Sequence, residues 1–108
     1  MNRHLIEGVE PHHPGPIRAV NVGGGAANSA VWMQLRADIT GKEIRRMRNI
    51  EVSAVGAAIL CAIRAGIYDT VEDAMASMAT IRDVFAPDPG LHEKYEEKYQ
   101  AWKAGMGY

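Results

Sequence analysis

Three consecutive glycines, Gly23–Gly25, separate a β-branched apolar segment from a segment with helical spacing. Glycine loses more conformational entropy on folding than any other residue, so such a run indicates a backbone that needs positive φ or close approach. The segment VNVGGGAANS, residues 20–29, therefore predicts a strand, a tight loop and the start of a helix. Unpaired N–H groups at a helix start can donate to phosphate or ribose oxygens, so the loop is a candidate nucleotide site.

Apolar periodicity predicts the elements around this loop. Strands are predicted at residues 17–22 and 42–48, and helices at 5–9, 29–39, 53–65, from 69 onward, and after a break at 86–90. The second strand is expected near a sheet edge because it carries several charges. A strand, a helix and a second strand in succession predict a parallel pair, and hence an α/β fold with short parallel strands followed by helices.

Side-chain spacing predicts how the helices pack. One face of the first long helix carries Val31, Leu35 and Ile39, and the helix at 53–65 is apolar nearly all round, so it needs cover on more than one side. The later helices carry apolar stripes made of Val71, Ala74, Met75 and Met78, and of Leu91, Tyr95, Tyr99 and Trp102. Two short strands are too little sheet for these faces, so we expect self-association or, favoured by the partial helix at 5–9, a longer polypeptide.

Charge and cysteine content limit the possible functions. The chain has 108 residues and a net charge of −1, which gives no electrostatic basis for binding nucleic acid or an anionic membrane. The N-terminus lacks the apolar core of a signal peptide, and no stretch approaches the ~20 apolar residues of a membrane span. The single cysteine, Cys61, has apolar neighbours that predict a buried structural thiol. We therefore expect a cytoplasmic protein.

Two familiar nucleotide-binding patterns fit the loop poorly. A Walker-type loop ends in Gly-Lys-Ser/Thr, and Gly25 is followed by two alanines. A dinucleotide fingerprint places its third glycine at position 28, which is Asn28, and its ribose-binding acid at the end of the second strand, whereas Glu43 begins that strand. An NADP-binding Rossmann-like module stays open as an alternative, because Arg45, Arg46 and Arg48 could form a 2′-phosphate site.

Three linked segments resemble one known family. VGGGAANSAVWMQLRADITGKEI, EVSAVGAAILCAIRAGIY and FAPDPGLHEKYEEKYQAW follow one another in the order found at the C-terminal end of the FGGY carbohydrate kinases, over about residues 17–104. The pattern there is roughly GGGA-x-S/N-x-x-W/L-x-Q-x-x-A/S-D-I-x-G, then E-x-T/S-A-L-G-A-A, then F-x-P-x-P. Val55 stands where leucine is common, and the usual proline after the second strand is replaced within residues 47–49.

The resemblance implies an actin-like ATPase fold, in which two ribonuclease-H-like domains hold ATP and sugar between them. Residues 1–16 would be the end of an upstream helix and a linker, and residues 17–108 the C-terminal part of the nucleotide-binding domain. Gly23, Gly24 and Gly25 would lie against the adenosine and α-phosphate of ATP, Ser29 on the adenine side, and Asn28 beside it.

The resemblance also implies that the chemistry lies elsewhere. The family's catalytic aspartate, its phosphate loops and nearly all sugar contacts precede this segment, so we expect no catalytic residue and no metal ligand in this chain. Mg²⁺ would act in the intact enzyme only, and the 108-residue chain alone would be inactive. The local polar residues have simpler interpretations: Asp38 on a solvated or salt-bridged surface, Glu51 at a helix start, and Asp69 and Asp73 near a cap. His12 and His13 lack further spaced metal ligands, and His92 is expected to pack or to face water.

The expected partners follow from this reading. They are ATP, a sugar or polyol in the intact protein, and either the remainder of the kinase or a second copy that completes the sheet. A stand-alone nucleotide-binding or assembly module remains an alternative, and the identity of the sugar is left open.

Overall fold

A three-stranded mixed sheet organises the chain in the computed structural model, which describes residues 2–49 and 51–108. The strands, in their spatial order, are β1 (Ala19–Val22), β2 (Glu43–Met47) and β3 (Ile81–Phe85). The helices are α1 (Asn2–Val9), α2 (Ala30–Thr40), α3 (Val52–Arg64), α4 (Val71–Met78) and α5 (Pro89–Met106). Short 3₁₀ turns at Glu10–His12 and Gly25–Asn28 precede β1 and α2.

The sheet confirms one prediction and corrects two. β1 and β2 pair in parallel, as expected for strands joined by a helix. β2 is the central strand and not an edge strand, because the antiparallel β3 pairs with its other side. β3 was not predicted at all. β3 places Asp83 directly opposite Arg46. The positive charge of Arg46, one of the charges that predicted an edge strand, is therefore neutralised by an ion pair within the sheet.

The core lies between α2 and the sheet. Met33 and Ala37 of α2 are fully buried, and they pack with Ala27 and Ile44. Val31, on the face carrying Leu35 and Ile39, is 78% exposed, so the predicted face is not the one that enters the core. Both ends of α2 have residues that favour helix termini: the Ser29 hydroxyl accepts from the backbone N–H of Trp32, and Gly41 takes a φ of 69° after the last turn.

α3 and α4 pack mainly against each other. Ile59 and Ala62 are buried, whereas Leu60 is 67% exposed, so α3 is not covered on several sides within the described residues. Cys61 is exposed, which corrects the expectation of a buried thiol: it lies beside the exposed Leu60 on a face of α3 that no described element covers. An apolar groove of about 440 Å³, the α3–α4 groove, is lined by Met47, Val52, Val55, Ile59, Met75 and Met78, among others.

α1 is held against α5 by polar contacts. The Tyr99 hydroxyl donates to Glu7 Oε2 at 2.6 Å, and Arg3 pairs with both Glu7 and Glu96. The Arg3 guanidinium also lies 4.0 Å from the centroid of the Tyr99 ring. Tyr99 is buried and stacks on Trp102, so these members of the predicted aromatic stripe pack inward. No helix in the described part of the chain is long and apolar enough to cross a membrane.

Candidate functional site

The three glycines of the loop have different structural roles. A Cβ on Gly23 would lie 2.1 Å from Cγ1 of Val52, so Gly23 allows α3 to approach the end of β1. Gly24 has a φ of 89°, a conformation that glycine adopts without strain. Gly25 has neither constraint: it is exposed, its φ is not left-handed, and, beyond its two chain neighbours, no described residue has an atom within 4 Å of an added Cβ. The protein's own packing therefore accounts for two of the glycines and leaves Gly25 unexplained.

A 3₁₀ turn presents the rest of the loop at the start of α2. The backbone N–H of Ala27 donates to the Gly24 carbonyl at 3.0 Å, and the N–H of Ser29 donates to the Ala26 carbonyl at 3.3 Å. Ala27 is fully buried, whereas Asn28 is exposed. The structure thus brings Gly25 and Asn28 to one open surface, while the Ser29 hydroxyl is engaged in capping α2.

Arg46 connects this loop to the far side of the sheet. Its Nη1 donates to the buried carbonyl of Ala27 at 3.1 Å, while Nε and Nη2 donate to the two carboxylate oxygens of Asp83 at 2.7 and 2.5 Å. Arg46 is 6% exposed. Its hydrogen bonds hold the pKa of the Asp83 carboxyl below its usual range, and the carboxylate in turn raises the pKa of Arg46.

The NADP-binding alternative would give Arg46 a different role. As a member of a 2′-phosphate site it would need free donors beside Arg45, yet its donors are used within the protein. Arg45 pairs with Glu43 at 2.6 Å, and successive residues of a strand point to opposite faces of the sheet. The described geometry therefore does not gather these arginines into one phosphate site. The role of Arg46 was missed because its partner, Asp83, lies on the strand that was not predicted.

Asp38 and His92 have structural roles in the contact between α2 and α5. Asp38 is 3% exposed, so the expectation of a solvated or salt-bridged surface residue is wrong: its Oδ1 accepts from Gln34 Nε2 and from the backbone N–H of Asp88, both at 2.9 Å. His92 packs against the end of α2, with Nδ1 2.9 Å from the Asp38 carbonyl. Thr70 caps α4, since its hydroxyl accepts from the N–H of Asp73. Within residues 2–49 and 51–108, no three acidic, histidine or cysteine side chains are arranged to hold a metal ion.

Comparison with known proteins decides the family. Residues 2–65 match the family model for the C-terminal domain of the FGGY family of carbohydrate kinases. This chain belongs to the FGGY family. A xylulose kinase of Staphylococcus epidermidis is 37% identical over 81 residues, which make up 75% of this chain and 16% of that kinase.

Solved FGGY kinases have the same fold in this region. Ligand-bound xylulose kinase from Lactobacillus acidophilus superposes with a TM-score of 0.82 at 19% identity, over 98% of this chain and 22% of that one. Plasmodium falciparum glycerol kinase, solved with ADP, gives a TM-score of 0.73 at 19% identity, over 98% of this chain and 21% of that one. The resemblance in the three sequence segments and the predicted α/β class are thereby confirmed. The chain spans about a fifth of the length of these FGGY kinases.

Proposed function

We propose that the loop Gly23–Ser29 holds the adenosine end of ATP in an ATP-dependent carbohydrate kinase. The observation that carries the proposal is Gly25, which is exposed and has no packing or conformational reason to be glycine. A ligand lying directly on the loop backbone is a physical reason for such a residue. Membership of a family of carbohydrate kinases, and the ADP in the P. falciparum glycerol kinase structure, support a nucleotide as that ligand.

The loop offers the groups that a nucleotide requires. The first N–H groups of α2 lack partners within the helix and favour an anionic or polar oxygen, while Gly24 and Gly25 admit the ligand without a side chain in the way. The Asn28 side chain is exposed beside them and makes no hydrogen bond with another described residue, so its amide is free to contact the adenine or ribose. Ser29 would contribute mainly by capping α2, which fixes the direction of its N–H groups.

The remainder of the intact kinase would supply the chemistry. Transfer of the γ-phosphoryl group to a sugar or polyol hydroxyl needs a base for that hydroxyl and Mg²⁺ against the phosphates. No metal-binding group is formed in the described residues, and their buried carboxylate, Asp38, is occupied by hydrogen bonds. We therefore place the catalytic base and the Mg²⁺ ligands outside this chain, which by itself would bind nucleotide without phosphorylating sugar.

The proposal also explains two uncovered surfaces, the free edge of β1 and the exposed face of α3, which the rest of the kinase would contact. β1 is an edge strand, and α3 leaves Leu60 67% exposed. In the intact kinase the remaining polypeptide would pair with β1 and cover α3, with residues 1–16 leading into residues 17–108 of the nucleotide-binding domain. In the isolated chain a second copy would take this place.

Calorimetric titration of the chain with ATP tests the proposal. The wild type should bind, and Gly25→Val should weaken binding about tenfold or more, because the added side chain occupies the space of the ligand. Gly105→Ala is the matched control: it replaces a helical glycine with no described atom near an added Cβ, in a part of α5 far along the sequence from the loop. Wild-type chain that binds no ATP, or Gly25→Val that binds it unchanged, would contradict the proposed function.

A further inference from the structure

One buried guanidinium links three elements around the glycine loop. Arg46 lies on the central strand β2, its carboxylate partner Asp83 on β3, and its third acceptor, the Ala27 carbonyl, in the turn before α2. A planar guanidinium with several fixed donors suits this geometry, since two donors engage the carboxylate in parallel while a third points elsewhere.

The contact between Arg46 and Ala27 ties the loop backbone to the central strand, in addition to the packing of Ala27 in the core and of Gly23 against Val52. The loop's other backbone hydrogen bonds are to near neighbours in the sequence: the N–H of Ala27 donates to Gly24, that of Ser29 to Ala26, and that of Met33 to Ser29. Within the described residues, Arg46 is the one residue of another element whose side chain hydrogen-bonds to the loop backbone, through Nη1. The Ala27 carbonyl is buried with the rest of the residue, so without Arg46 it would lack a partner and the turn would rearrange.

We propose that Arg46 is the positioning residue of the nucleotide loop, and that Asp83 acts through Arg46 by fixing the direction of its guanidinium. The proposal rests on the proposed function. In this proposal Arg46 does not contact the nucleotide. It holds the Ala27 carbonyl, and thereby fixes the positions of the Gly25 backbone and the Asn28 side chain, which contact the ligand. The third strand, β3, thus contributes to ligand binding although it lies on the far side of β2 from β1.

Two substitutions separate this role from general support of the fold. Arg46→Lys keeps the charge but loses the fork that serves Asp83 and Ala27 together. Asp83→Asn leaves Arg46 in place but removes the charge that orients it. We expect each to weaken ATP binding about tenfold at a temperature where the variant is folded. Because both act through one contact, the double variant should lose much less than the product of the two effects.

Arg45→Lys is the matched control, since Arg45 is the adjacent residue of β2 and pairs with Glu43 on a more exposed surface. Its ATP affinity should stay within about twofold of the wild type. Melting temperatures, measured separately, identify variants that are merely less stable: a purely structural role for Arg46 would lower the melting temperature and leave the dissociation constant of the folded chain unchanged.

Nitrogen–proton NMR spectra of the ligand-free chain give a second readout. Arg46→Lys and Asp83→Asn should shift the same amide signals, those of Gly24, Gly25 and Asn28, and Arg45→Lys should not. If the wild type binds ATP and the two variants bind it equally well, the inference is wrong while the proposed function stands. If the wild type binds no ATP, the proposed function fails for this chain, and unchanged loop signals in Arg46→Lys would overturn the positioning role as well.

Discussion

Gly23 and Val52 approach so closely that a methyl group on Gly23 would lie 2.1 Å from Cγ1 of Val52. The contact joins the end of β1 to the first turn of α3, and so sets how α3 lies relative to the glycine loop. Val52 also lines the α3–α4 groove, which therefore begins beside the loop.

This contact predicts a rescue experiment. Gly23→Ala should lower the free energy of unfolding by about 1–3 kcal/mol, the usual cost of overpacking, because Val52 or the backbone must move. Val52→Ala in the same chain should restore part of the loss by removing the clashing methyl group. Urea denaturation of the single and double variants measures both effects. Additive losses in the double variant would show that the two side chains do not compete for this space.

The hydrogen bonds of the buried Asp38 carboxylate predict that its removal destabilises the fold, although an acidic residue on a helix is usually exposed. Asp38→Ala should cost about 1–3 kcal/mol, because the backbone N–H of Asp88 and the amide of Gln34 lose their shared acceptor. Asp69→Ala, at an exposed residue before α4, is the control and should change stability by no more than about 0.5 kcal/mol. Equal effects of the two substitutions in urea denaturation would contradict the buried role of Asp38.

Tyr99 predicts a change of stability at alkaline pH. Burial and its hydrogen bond to Glu7 raise the pKa of Tyr99 from 10.0 to about 12. The folded chain therefore favours the neutral phenol, and this contribution is complete below pH 10 and is lost as the pH rises to about 12. The tyrosinate absorbance should contain a component that appears only near pH 12 and is absent from Tyr99→Phe. Full ionisation of all tyrosines well below that pH in the folded chain would refute the assignment.

The elements around the loop were predictable because their signals are local. The glycines, Ser29 at the cap and Gly41 at the end of α2 specify a strand, a turn and a helix within a short segment. β3 was not predictable in the same way: Arg82 and Asp83 interrupt its apolar pattern, and Asp83 becomes favourable only when β2 places Arg46 opposite it.

Burial was the least predictable property, because it depends on distant partners. Asp38 is covered by the segment that leads into α5. The backbone N–H of Asp88 in this segment, 50 residues further along the chain, donates to the Asp38 carboxylate. Cys61 lies in an apolar segment that predicts an interior position, yet α3 presents it to solvent. In both cases the neighbouring sequence gives no information on whether a distant element covers the residue.

The central claim is that nucleotide binds at the glycine loop, and mapping the ATP-induced shifts of backbone amides in the wild-type chain tests it most directly. The account predicts that the largest shifts fall on Gly24, Gly25, Asn28 and the first turn of α2, and that Gly25→Val abolishes them. Shifts centred on the α3–α4 groove, or no shifts at saturating ATP, would contradict it.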